Sequence, residues 1–187
     1  FVNHPDYFQL SIQYYILDND VDNALNSLGR FSHLIRQMLN MSTKNEVSLN
    51  EEIDFLKLYV EVENFRWKNK IDFQINVDQS INIYTLKIPP MLIQPILENA
   101  FVHAFDQNYS NPIIEINFSE DNDNLQIVVK DNGKGMIKKE DSNTIHESKA
   151  LKIIDERLSL LNKNNGPNIT LNSDDNGTKV TMVLRIN

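Results

Sequence analysis

The chain has 187 residues, a formal net charge of −8, 41% hydrophobic residues and no cysteine. That length allows one full α/β core with a short helical appendage, and the absence of thiols excludes disulfides and thiolate-held metals, in keeping with a reducing cytoplasm. The acidic balance excludes a general nucleic-acid surface, which needs clustered Lys and Arg against phosphates. No apolar run reaches the length of about eighteen residues that a membrane helix requires, and no signal-peptide pattern opens the chain.

Tyr7, Leu10, Tyr14 and Leu17 recur at three- and four-residue spacing, and beyond Asp18-Asn19-Asp20 the rhythm resumes with Val21, Ala24, Leu28, Phe31, Ile35 and Met38. This predicts two amphipathic helices, the second capped by Asp20. A helical hairpin of this size cannot bury its stripe alone. It packs either on its own domain or on a second copy as half of a four-helix dimer, and the heptad-like spacing agrees with the second arrangement. Ser48 and Glu51 predict a capping box for a third helix with Leu49, Ile53, Leu56, Val60 and Trp67 on one face. Lys70 to Val77 alternates as a strand with Ile71, Phe73, Ile75 and Val77 inward. Pro89-Pro90 opens a further helix, which Pro95 is expected to interrupt or kink because proline removes a backbone donor. Residues 112–118, 125–129, 168–171 and 179–186 read as four more strands, so the expected fold places three helices over a mixed, mostly antiparallel sheet. Residues 137–147 are polar and aperiodic, and a loop of that length in a compact domain is usually functional or mobile.

Two short segments carry the chemistry. Ile96-Leu97-Glu98-Asn99-Ala100-Phe101-Val102-His103 reads as a helix bearing a carboxylate, an amide and an imidazole on neighbouring turns. Val128-Val129-Lys130-Asp131-Asn132-Gly133-Lys134-Gly135-Met136 reads as an apolar strand running into an acidic, glycine-punctuated turn. By itself an Asp-Asn-Gly triplet after a strand is a hairpin turn; beside the first segment it suggests a nucleotide site. Asp131 is an acceptor suited to an exocyclic amine, and Gly133 and Gly135 permit positive φ and close ligand approach. Asn99 offers a neutral oxygen to a hard cation such as Mg²⁺, which arrives with phosphates. Downstream, residues 148–161 have helical spacing, and Asp175-Asn176-Gly177-Thr178 precedes the last strand. Lys149, at the start of that helix, either approaches phosphates as a point charge or remains a solvated lysine.

This ordered set resembles the GHKL ATPase catalytic domain and is most similar to sensor histidine kinases of the LytS/YehU type, over nearly the whole chain. The family's N box resembles residues 90–103, its first glycine box 131–136, its second 148–158 and its last Gly177-Thr178. Residues 47–53 and 63–67 are similar to the segment joining the dimerisation helices to the ATPase domain. The resemblance implies an α+β fold: a helical hairpin over 1–45, half of a dimeric four-helix bundle, followed by a GHKL-type α/β sandwich over 46–187. It implies an ATP-dependent protein-histidine kinase using ATP and Mg²⁺, and a homodimer that passes its phosphoryl group to a response regulator receiver domain. It also implies the cytoplasmic end of a membrane-anchored receptor, with Phe1-Val2-Asn3 as a cut start. In the implied site Asp131 accepts the adenine amino group and Asn99 binds the Mg²⁺ that bridges the phosphates. Gly133 and Gly135 shape the base pocket, and Met136 and Ile137 line it. Glu98 polarises the attacking group, while His103, Lys149, Ala150, Leu151 and Thr178 complete the nucleotide contacts. Residues 137–147 become the ATP lid and Arg157 a structural ion pair; for His103, a surface or core-edge imidazole is the alternative.

Three features depart from the family pattern. Ser148 and Ala150 stand where the second glycine box has glycines, and Ala104 where glycine usually follows the N-box histidine. The phosphoacceptor box, Pro-His-Phe-x-Phe-Asn before Ser11-Ile12-Gln13, should begin at Val2 and place histidine at Asn3. The chain instead reads Val2-Asn3-His4-Pro5-Asp6-Tyr7. His4 is thus one residue out of register, a slip that turns a helical side chain by about 100°. Two readings stay open: a kinase whose irregular helix start restores His4 as acceptor, or a non-catalytic nucleotide-binding dimerisation module with a degenerate box. His33 has no such box around it, and His146 falls in the lid.

Overall fold

The computed structural model describes residues 16–17, 19–67, 70–106, 108–121, 123–135, 149–162 and 168–186. His4 and all of the first predicted helix before Ile16 lie outside the described residues, as do Met136, Ile137, the 137–147 segment with His146, and Ser148.

Helix α1, Val21–Ser42, begins where predicted, with the Asp20 carboxylate accepting from the Asn23 N–H at 3.1 Å. Its predicted stripe divides. Ala24, Leu34 and Met41 are buried, with Phe31 and Met38 packed beside them, whereas Val21, Leu25, Leu28, Ile35 and Leu39 are exposed. The helix carries two apolar rows about 100° apart, and the spacing seen in the sequence had merged them. The inner row lies on α2.

A two-residue strand β1, Val47–Ser48, leads directly into α2, Leu49–Glu63. The capping box forms: the Glu51 carboxylate accepts from the Ser48 N–H at 2.7 Å, and the Ser48 hydroxyl accepts from the Glu51 N–H at 3.2 Å. Lys44 adds an ion pair to Glu51 at 2.7 Å. The helix buries Leu49, Ile53, Phe55, Leu56, Tyr59 and Val60. Trp67 is buried too, but from beyond a 3-10 turn at Asn64–Arg66 rather than on the helix face, and it meets Phe105 edge-on at 6.2 Å. The helix yields there because the Asn64 side chain accepts from the Ile71 N–H at 2.9 Å and donates to its carbonyl at 3.2 Å. That pair of bonds also delays strand β2 to Asp72–Val77, two residues after the predicted start.

Strand β3, Lys87–Ile88, pairs antiparallel with β1. Strands β4 (Ile113–Asp121), β5 (Asn124–Asp131), β6 (Ile169–Asp174) and β7 (Gly177–Arg185) join β2 in a five-stranded sheet of order β2-β4-β5-β7-β6. The β2–β4 pair is parallel and the rest are antiparallel, which is the mixed, mostly antiparallel sheet expected. Alternation sends Ile114, Ile116, Phe118, Leu125, Ile127, Val129, Val180, Met182 and Leu184 into the core.

Helix α3, Gln94–His103, packs on β5, and α4, Lys149–Asn162, packs on β7. Pro95 neither breaks nor kinks α3. The helix starts at Gln94 rather than at Pro90, so Pro95 sits in the first turn, where a missing N–H costs nothing. Arg157 makes no ion pair within salt-bridge distance among the described residues; its Nη1 donates instead to the Pro90 carbonyl at 3.1 Å.

Candidate nucleotide site

Asp131 is the last residue of β5 and is 7% exposed. Its Oδ1 accepts from the Gly133 N–H at 2.9 Å and from the Thr178 N–H at 3.2 Å. Oδ2 takes no hydrogen bond among the described residues. Burial holds the carboxyl above its ordinary range, and the two N–H groups oppose that shift. A carboxylate fixed through one oxygen, with the other unengaged, is an acceptor set in a nearly dry wall.

The Asp131-Asn132-Gly133 turn is not a hairpin. Strand β5 pairs with β4 and β7, and the chain returns to the sheet only after α4. Asn132 instead fastens the turn to the sheet: its Oδ1 accepts from the Ile113 N–H at 2.8 Å, its Nδ2 donates to the Asn111 carbonyl at 3.0 Å, and its own carbonyl accepts from the Tyr109 hydroxyl. Sequence reading passed over Asn132 and Tyr109, although an Asn beside a strand end is a recurrent backbone clamp.

The glycines bring three elements together. A Cβ on Gly133 would stand 2.4 Å from the Ala104 carbonyl oxygen, and the neighbouring Lys134 N–H donates to that oxygen at 2.9 Å. Gly133 is therefore required for clearance against the end of α3, and the positive φ expected there is absent. Gly135 does adopt it, at +67°, and its Cβ would lie 1.9 Å from the Asp174 carbonyl oxygen. Gly177, at φ +130°, brings the β6–β7 turn equally close to the Asp131 carbonyl. Thr178 adds a hydroxyl contact to Ser173 at 3.1 Å.

Asp131, Gly133, Gly135 and Thr178 thus form one junction, and Ala104 ties the end of α3 to it. Glu98 and Asn99 are half-buried on α3, one to two turns back from Ala104, and His103 is exposed on the last turn. Lys149 and Ala150 open α4, and Leu151 is buried in the hydrophobic core.

Sequence reading missed Glu52. It is fully buried and accepts from the Met91 N–H at 2.8 Å and the Ile93 N–H at 3.3 Å, just ahead of α3. Burial pushes its carboxyl up to about 7, against those N–H bonds and the Arg157 charge. The signal was present: Glu52 stands in the apolar row of α2, between Leu49, Ile53 and Leu56.

A sheet with helices on one face, and an acidic, glycine-bound strand end joined to an Asn-bearing helix, make up a fold of the kind that histidine kinase domains have. The histidine kinase family profile matches residues 10–71. The fold is similar to the histidine kinase domain of the Erythrobacter litoralis EL346 blue-light activated histidine kinase, with a TM-score of 0.60 at 17% identity, over 86% of this chain and 75% of that one. It is also similar to the histidine kinase ThkA in its complex with the response regulator protein TrrA, with a TM-score of 0.51 at 19% identity, over 91% of this chain and 52% of that one. The chain belongs to the histidine kinase family.

Within it the relationship is to the LytS sensors: the chain is 30% identical over 156 residues to the sensor protein LytS of Oceanobacillus iheyensis. The match takes in 83% of this chain and 25% of that protein, so the chain spans about a quarter of its relative's length.

Proposed function

We propose that this chain is the nucleotide-binding output portion of a sensor histidine kinase, with residues 1–45 as its dimerisation hairpin and 46–187 as its ATP-binding domain. The observation that carries this reading is the Asp131 junction: a buried carboxylate held through Oδ1, beside a glycine-bound turn fixed to the helix that bears Glu98 and Asn99. In this reading Asp131, held by the Gly133 and Thr178 N–H groups, accepts the adenine amino group through Oδ2, and Gly133 and Gly135 shape the base pocket. Asn99 provides an oxygen to Mg²⁺, with Glu98 polarising the attacking group and His103, Lys149, Ala150 and Leu151 placed along the nucleotide.

The donor set fits a phosphate-borne cation. Among the described residues no three His, Asp or Glu side chains gather into a metal cage, while Mg²⁺ commonly binds through one or two protein oxygens together with substrate phosphates and water. When bound, the ion would neutralise charge on the phosphates during transfer. The protein's own part is positioning.

The partner in this reading is a response regulator receiver domain, which takes the phosphoryl group from histidine onto aspartate. ThkA with TrrA is a precedent in a protein of the same fold. We place the chain on the cytoplasmic side of a membrane-anchored homodimer; no helix among the described residues is long and apolar enough to cross a membrane. The register of His4 favours a second reading, a nucleotide-binding regulator without a phosphoacceptor.

Calorimetric titration with ATP and Mg²⁺ tests the first reading, and no binding at millimolar nucleotide would end it. Incubation with γ-labelled ATP separates the two. Acid-labile label abolished by His4→Gln establishes His4 as acceptor, and bound nucleotide without label supports the regulator.

A further inference from the structure

Residues 90–93, the stretch that launches α3, are gripped from both sides by opposite charges. From α2, the buried Glu52 carboxylate accepts from the Met91 and Ile93 N–H groups at 2.8 and 3.3 Å. From α4, Arg157 donates to the Pro90 carbonyl at 3.1 Å. Met91 sits at φ +54°, a conformation that is strained for a non-glycine residue and persists only where its surroundings hold it. Successive N–H groups around such a residue converge into an anion-binding concavity, and Glu52 fills it. The N-cap of α3, Ile93, has no side-chain hydrogen bond of its own, so the carboxylate lies where the positive end of the helix favours it.

We propose that Glu52 is a positioning residue for the nucleotide site: together with Arg157 it clasps residues 90–93 and so sets where α3 presents Glu98 and Asn99. A residue chosen only to fill space there would be apolar, since an isolated buried carboxylate is costly. What the carboxylate provides is direction, because it fixes two backbone donors at the root of a helix whose far end is bonded to the Asp131 turn through Ala104 and Lys134. Its neighbour Glu51 binds Lys44, just past the end of α1. Two consecutive glutamates therefore tie the exit of α1 and the start of α3 to the same turn of α2. The role of Asn99 in this proposal rests on the Mg-ATP reading above.

The test uses the full chain as wild type, Glu52→Gln and Arg157→Met, at pH 8. Amide hydrogen exchange on the unliganded protein is followed by ATP titration in EDTA and in Mg²⁺. In both variants the amides of α3 and of Lys134 should exchange at least about tenfold faster, while those of β6 and β7 keep their wild-type rates. The gain in ATP affinity that Mg²⁺ confers should fall at least about tenfold, with affinity in EDTA changed less than about twofold. Unchanged α3 exchange overturns the proposal, and so does a uniform rise across helices and sheet, which would mark plain destabilisation. If Glu52→Gln fails to fold, Arg157→Met decides on the same criteria. Should the wild type bind no ATP, the Mg-ATP reading fails, and the exchange pattern alone still upholds or overturns the placement of α3 by Glu52.

Discussion

Glu52 makes stability fall as pH rises across a window set by its own two titrations. In the folded chain its carboxyl is pushed up to about 7, against an ordinary 4.5, so between those values the native state holds a proton that the unfolded chain has released. Native protein then binds the more protons, and unfolding free energy declines with rising pH. The gap from 4.5 to about 7, at about 1.4 kcal/mol per pH unit, corresponds to a loss of about 3 kcal/mol that levels off above pH 7. Glu51 acts elsewhere. Its carboxyl is held down to about 2, first by Lys44 and then by Ser48, so its contribution is present above 4.5 and is lost as pH falls from 4.5 toward 2. Asp131 shares the sign of Glu52 and is common to wild type and variant. Urea denaturation at half-unit steps from pH 4.5 to 8, followed by the fluorescence of the sole tryptophan, Trp67, reads the curve. Subtracting the same series for Glu52→Gln isolates the residue, and the difference should change by about 3 kcal/mol across the window. Parallel curves for the two proteins would refute the assignment of a desolvated, titrating carboxylate at Glu52.

Asp131→Asn should weaken ATP binding at least about tenfold by calorimetry while leaving the thermal midpoint unchanged or raised, because it removes a desolvated charge along with the acceptor. Gly177→Ala places a Cβ 2.0 Å from the Asp131 carbonyl at φ +130°, and chemical denaturation should register a loss of about 2 kcal/mol or more. Ile35→Asp and Phe31→Asp should part company in sedimentation and denaturation. Ile35 is exposed, so its substitution should shift a dimer toward monomer with the fold retained, whereas Phe31 packs on the core and its substitution should lower stability by about 2 kcal/mol or more.

The elements that were legible in the sequence are those whose signals are local. Asp20 and the Ser48–Glu51 box announce their helices because a cap reports on residues three positions away. Alternation gave the strands, and the start of β2 slipped because a side chain intervened, Asn64 at Ile71. Of the candidate site, Asp131 and the glycines were visible as types, but the reason for Gly133 was not: its constraint is the Ala104 carbonyl, twenty-nine positions back and brought near only by the fold. Pro95 was misread because periodicity cannot tell a helix that starts at Pro90 from one that starts at Gln94. Glu52 escaped because a charged residue in an apolar row looks like an interruption of the pattern, and its partners at Met91 and Ile93 are thirty-nine and forty-one positions away.

The pairing of β5 with β7 has an evolutionary corollary. The bond from Thr178 to Asp131 joins residues 47 positions apart, and α4 and β6, each packed or paired on β7, lie between them. Loop-closure entropy grows only logarithmically, so ten extra flexible residues in that interval would cost about 0.2 kcal/mol, and even a doubling about 0.6. The sheet needs α4 and β6 from that interval, but not a fixed length for the connections between them. Insertions in the connections are cheap, and lineages descending from a common ancestor can vary those lengths while α4, β6 and the strand ends that hold Asp131 and Thr178 stay as they are.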